Sequence, residues 1–201
     1  MKERPILFSG PMVRAILSGA KTQTRRVIKP QPVQYNRPDW PCTHGWREVP
    51  QMGGWEISWN NDSMTATEAI GEYCPYGKPG DFLWVQETHV VTAGGNVLYK
   101  ADNPDLTNCR PSIFMTRQHS RITLEVVSVR AQRLQEISEA DMIAEGVDYL
   151  LEQRGEPQRI DYRRLVFFGL WDKINGKHIG RDEYVNANPW VWALDFRTVK
   201  A

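Results

Sequence analysis

Three strand-like runs, Phe82–Gln86, Asn96–Lys100 and Ile122–Val129, follow one another with no helical pattern between them. Each is short and rich in β-branched or aromatic residues, and turn residues such as Gly77-Lys78-Pro79-Gly80-Asp81 stand between the preceding chain and the first of them. In the third, Ile122, Leu124 and Val126 alternate with Thr123, Glu125 and Val127, the pattern of a strand with one wet face. A doubly wound parallel sheet needs a helix between successive strands. This order instead points to an α+β chain built on a small mixed or antiparallel β-barrel, with helices packed outside.

The remaining segments fit that plan. Pro5–Phe8 reads as a short buried strand. Ser9-Gly10-Pro11 opens a helix with proline at its first position, and Gly19 is a left-handed terminator. Thr22–Val27 is the next strand. Ser138-Glu139-Ala140-Asp141 resembles a capping box and opens a helix that Gly146 closes. A further helix runs from about Tyr162 to Ile174, and Trp190–Val199 is the last strand. The expectation is a barrel of about five to seven strands closed by that last one. Ile6, Phe8, Ile16, Leu83, Val85, Ile122, Leu124, Val126, Trp192 and Leu194 form its core. Residues 1–201 read as a single domain with a long irregular insertion over about 30–76, in which Trp55–Trp59 is one strand of a hairpin. An insertion of that length suggests a lid, with Trp40, Trp46 or Tyr76 available to stack on a ligand.

Composition narrows the partners. The formal net charge is +1, so any nucleic-acid surface must be a local patch. No run approaches the ~18 apolar residues that span a bilayer. The N-terminus lacks the apolar run of a secretory signal, which places the expected location in the cytoplasm, with no membrane partner. Cys42, Cys74 and Cys109 are an odd set without close pairs, so no disulfide framework is expected. Cys42, His44 and Cys74, with Cys109 as a fourth, match no standard zinc spacing; they read as ordinary loop and core residues, with no metal and no cofactor expected. There is no P-loop, no dinucleotide fingerprint after a strand and no zinc-protease helix.

The segment Gly19-Ala20-Lys21-Thr22-Gln23-Thr24-Arg25-Arg26 carries the most chemistry. Thr22, Thr24 and Arg26 share one face of the strand, Gln23 and Arg25 the other, and Lys21 sits at its mouth. A solvated basic strand is the bland alternative. Glu145 is out of place: a carboxylate in the last turn of a helix is disfavoured by roughly 0.3–1 kcal/mol. It is either tolerated there or held for a purpose. Arg117, His119 and Arg121 alternate, so an extended chain would present them together as a phosphate-facing edge beside Arg25 and Arg26; scattered surface cations are the alternative.

These segments resemble a known family. Ile16 to Arg26 is similar to the ASCH signature G-x-K-T-x-T-x-R, and Gly80-Asp81-Phe82-Leu83-Trp84-Val85 to its G-D-x-L-x-V strand. The S-E-x-D-x-x-x-E-G run within Leu134–Val147 resembles the following segment of the family. Leu170 to Gly176 and Asn188-Pro189-Trp190-Val191-Trp192 resemble parts of its larger phage and prophage members. The resemblance implies a PUA-like barrel and business with RNA or a modified nucleoside. A small bacterial member with a similar signature is an N4-acetylcytidine amidohydrolase, and its lysine, threonine and glutamate correspond to Lys21, Thr24 and Glu145. Other members are linked to ribonuclease activity or act as RNA-binding modules without chemistry, and both alternatives need the same cleft. That cleft is expected between the strand after Gly19 and the helix after Ser138.

Overall fold

The computed structural model describes residues 1–29, 31, 74–175 and 188–199 with their side chains, and the backbone alone of 33–34, 44–49, 54–59, 62–65 and 200. Its main sheet has five strands in the order β1 (Glu3–Leu7), β7 (Phe82–Gln86), β10 (Thr123–Arg133), β11 (Trp190–Lys200) and β2 (Gln23–Val27). β1 and β7 run parallel; the other pairs are antiparallel. The longest ladder joins β10 to β11, from Thr123 opposite Lys200 to Arg133 opposite Trp190, with register shifts after Thr123 and between Val126 and Ser128. Such bulges increase the local twist and curl a sheet.

The class is α+β, as the strand order predicts, but the barrel does not close. β11 lies inside the sheet between β10 and β2, so it closes nothing, and the edges β1 and β2 share no ladder among the described residues. The physical reason lies at the end of β1. The chain turns at once into helix α1 (Gly10–Leu17), and a side chain bridges the two edges. Arg26 Nη2 reaches across to the Leu7 carbonyl at 2.7 Å, with its guanidinium 5.1 Å from the Phe8 ring centre.

All ten core residues expected from the sequence are buried. α1 presents Met12, Val13, Ala15 and Ile16 to that core and ends at Gly19, whose φ of 79° is the left-handed conformation expected of it. The capping box forms: Asp141 N–H donates to the Ser138 hydroxyl at 3.1 Å and opens α2 (Glu139–Ala144). A helix that the sequence reading passes over follows directly, α3 (Val147–Arg154), with Val147, Leu150 and Leu151 buried. α4 (Ile160–Asn175) matches the last expected helix and packs against both.

The insertion is more regular than expected. β3 (Val33–Gln34), β4 (His44–Val49), β5 (Gly54–Trp59) and β6 (Asp62–Thr65) form a separate four-stranded sheet in that order. The expected strand Trp55–Trp59 falls within β5, paired on both sides. Trp40 and Cys42, and the side chains of His44 and Trp46, lie outside the described residues. The run read as Asn96–Lys100 is β9 (Val97–Tyr99), hairpinned to β8 (His89–Val91). No helix among the described residues is long and apolar enough to cross a membrane.

Candidate functional site

The site is built where α1, β2 and the end of α2 meet. Thr22 N–H donates to the Ala144 carbonyl at 2.8 Å, and Lys21 N–H to the Ala15 carbonyl at 3.0 Å. Gly146 permits the approach. Its φ is 84°, and a Cβ there would stand 3.1 Å from Lys21 Cβ and 3.3 Å from Ala15 Cβ. The position therefore needs glycine both for its backbone and for its lack of a side chain.

Glu145, the preceding residue, is delivered onto Lys21. The Lys21 ammonium donates to Glu145 Oε2 at 2.6 Å, to the Glu145 carbonyl at 2.8 Å and to the Gln23 carbonyl at 2.7 Å. All three of its hydrogens are thus used, and Lys21 is only 3 % exposed. Burial draws its pKa down, the Glu145 carboxylate opposes that, and Arg26 and Arg25 add to the lowering. The other Glu145 oxygen accepts from Arg25 Nη1 at 3.1 Å. Two cations therefore offset the unfavourable end of the helix dipole, and Glu145 is held rather than merely tolerated.

The two faces of β2 behave as the alternation predicts. On one, Gln23 and Arg25 bond to each other and reach Asp141, with Arg25 Nη2 3.0 Å from Asp141 Oδ2. On the other, Arg26 Nη1 donates to Thr24 Oγ1 at 3.1 Å. Among the described residues the Thr24 hydroxyl hydrogen itself donates to no acceptor. Burial lowers the Arg26 pKa, with the Tyr76 hydroxyl and Glu145 opposing it, and burial raises that of Tyr76.

Lys21, Thr24, Arg25, Arg26 and Glu145 all line one cavity of about 570 Å³. That is ample for a nucleoside-sized molecule by the usual range of ligand pockets. Phe8, Tyr76 and, from α4, Phe167, Leu170 and Trp171 also line it. The α4 wall is the part that sequence reasoning missed. Its signal was the apolar run Val166-Phe167-Phe168, which reads equally well as core.

Three expected residues do not join the site. Arg117–His119 form a 3-10 turn rather than an extended chain, so the alternation that grouped Arg117, His119 and Arg121 is lost. Arg117 Nε pairs with Glu3 at 2.8 Å, and the His119 ring lies 5.6 Å from that of His89. Arg121 sits 3.9 Å from the Tyr99 ring centre, between Glu87 at 2.9 Å and Asp102 at 2.6 Å. These arginines brace the fold with charges already matched, and none of the three residues lines the cavity.

Cys74 and Cys109 are free thiols, and burial pushes the Cys74 thiol up to about 11. No group of three metal-ligating side chains occurs among the described residues.

No family model matches the chain, and no curated protein does. Among solved structures, a protein of Enterococcus faecalis from the DUF984 family is 12% identical, with a TM-score of 0.38. The ASCH domain from Lactobacillus crispatus is 10% identical, with a TM-score of 0.39. Both matches cover 100% of this chain and 81% of the other. One of these neighbours is an ASCH domain, the family whose motifs this sequence resembles.

Proposed function

We propose that this chain is an ASCH-type protein that hydrolyses the amide of an acylated nucleobase, of which N4-acetylcytidine is the simplest example. One observation carries the reading. The Thr24 hydroxyl accepts from Arg26 while its own hydrogen is uncommitted, in the same cavity as the buried Lys21–Glu145 pair.

A threonine hydroxyl is a poor nucleophile until a neighbour takes its proton. Lys21 does so once it has lost one proton itself, and burial favours that loss. Thr24 Oγ then attacks the acyl carbonyl, or holds the water that does. Arg26, bonded to the same Thr24 oxygen, stabilises the negative charge that develops there as its proton leaves. The C–N bond breaks as the proton is returned through the Lys21–Glu145 pair to the exocyclic amine. Water completes the reaction, and the products are the free nucleobase amine and a carboxylic acid. Aromatic walls at Phe8 and Phe167 suit a planar base, since stacking contributes ~1–3 kcal/mol per base.

A second reading has its own support. Lys21 as an ammonium with three acceptors is a finished structural brace, which suits a binding module that reads RNA without chemistry. The two separate in solution. Purified protein incubated with N4-acetylcytidine should release cytidine and acetate. Thr24→Val should abolish turnover and leave ligand affinity within a few-fold, and Lys21→Met should abolish turnover as well. If the intact protein turns over no acylated nucleoside, while Lys21→Met weakens RNA binding and flattens its salt dependence, the binding module is the correct reading.

A further inference from the structure

The Arg25 side chain has no exposed surface, so it is not a group that a ligand in the cavity meets. Its charge faces two carboxylates instead. Nη1 donates to Glu145 Oε1 at 3.1 Å, and Nη2 stands 3.0 Å from Asp141 Oδ2. Side chains from four elements hold this arrangement. Arg25 donates to Gln23, its neighbour on the same face of β2, and Gln23 donates to Asp141 Oδ1 at 2.8 Å. Arg130 of β10 pairs with Asp141 at 3.2 Å and with Asp195 of β11 at 2.7 Å. Asp141 belongs to α2, where the capping box with Ser138 fixes it. The guanidinium is thus anchored at one nitrogen and presents the other to Glu145.

We propose that Arg25 is a positioning residue: it holds one oxygen of Glu145, so that only the other faces Lys21. The inference rests on the amidohydrolase reading and says what leaves the Lys21–Glu145 pair able to exchange a proton. A carboxylate given wholly to one ammonium holds that ammonium's proton firmly. Here the carboxylate is divided, with Oε2 accepting from Lys21 at 2.6 Å and Oε1 from Arg25. Lys21, Arg25 and Glu145 are all buried, so water screens these charges little. The charged groups facing Lys21 are Glu145 at the end of α2 and Arg25 and Arg26 on β2, and the Phe8 ring centre lies 5.9 Å from its nitrogen. Two of those three charges repel the ammonium. Arg26 also serves Thr24 and Leu7, whereas Arg25 serves the carboxylates and Gln23 alone. Arginine suits the position because it stays charged and because its planar fork meets two carboxylates with separate nitrogens; lysine would offer a single point of charge.

The test follows Lys21 in the full chain labelled with ¹³C at the lysine ε-carbons. The Lys21 signal is the one lost in Lys21→Met. Its titration midpoint should rise by about one pH unit in Arg25→Gln, and by less than half of that in Arg25→Lys, which keeps the charge. With N4-acetylcytidine as substrate, the acidic limb of the kcat profile should move up by the same amount in Arg25→Gln. On that limb kcat should fall about tenfold, while KM stays within about twofold. Should Arg25→Gln fail to fold, Asp141→Asn serves in its place. It leaves Arg25 to Glu145 alone, so the Lys21 midpoint should fall; a rise or no change overturns the proposal. An unmoved midpoint in folded Arg25→Gln overturns it too and makes Arg25 a structural brace. A raised KM with an unmoved midpoint overturns it in favour of a ligand contact. Turnover with unmoved midpoints removes this inference and leaves the enzyme standing. Midpoints that shift as stated, in a protein that turns over no acylated nucleoside, uphold the positioning of Glu145 and remove the enzyme reading.

Discussion

At the scale of single residues, Gly146 shows how one position sets the chemistry of another. Its left-handed φ and its contact with Lys21 bring Glu145 within 2.6 Å of the Lys21 ammonium. Gly146→Ala should therefore destabilise the protein by about 1–3 kcal/mol, read as a lower urea midpoint, from backbone strain and a contact that must yield. His89 is a different case. It is fully buried, its Nε2 has no partner among the described residues, and burial holds its pKa below the ordinary 6.5. The unfolded chain binds a proton there that the folded chain refuses, so stability falls as pH drops through that ordinary value. The urea midpoint of the wild type should decline from about pH 7 to pH 5 more steeply than that of His89→Asn. A parallel decline in the two proteins would remove His89 as the cause. Cys74, with its thiol raised to about 11, should resist alkylation in the native protein at about pH 8 and react once urea unfolds the chain.

At the scale of elements, the five strands of the main sheet and the outer helices were legible, while α3, β8 and the insertion strands β3, β4 and β6 were not. The strands announce themselves by alternation and turn residues, and α2 by its capping box. α3 has eight residues between two left-handed glycines, and its buried face is only Val147, Leu150 and Leu151. The i, i+3, i+4 spacing is there, but so short a run does not stand out until its partners are known. Leu151 is fully buried, so Leu151→Ala should cost about 2–5 kcal/mol of unfolding free energy in denaturant titration. A loss under about 1 kcal/mol, the size of a surface change, would mean that α3 is not part of the core.

For the molecule as a whole, the decisive feature is the open edge of the main sheet. A ladder between β1 and β2 would use the backbone of Leu7; instead Arg26 occupies its carbonyl, and the cavity lies beside that contact. Arg26→Met removes the bridge to Leu7 and the donor to Thr24 together. In the enzyme reading it should lower turnover of N4-acetylcytidine by about a hundredfold or more, the usual size of loss on removing a donor aimed at developing negative charge. Unchanged turnover in a folded variant would assign Arg26 to structure alone. The sequence by itself determined the class, most elements, the buried ten and the local grouping on β2. These follow from periodicity, caps and motif spacing, which are short-range properties of the chain. Only the tertiary structure decided that the sheet stays open, that Glu145 meets Lys21 across 124 positions, and that α4 walls the cavity with Phe167 and Trp171. It also separated Arg117 and Arg121 from the site, because their partners Glu3, Glu87 and Asp102 lie far away along the chain. Contacts between distant segments depend on how packed elements share space, and no local pattern encodes that.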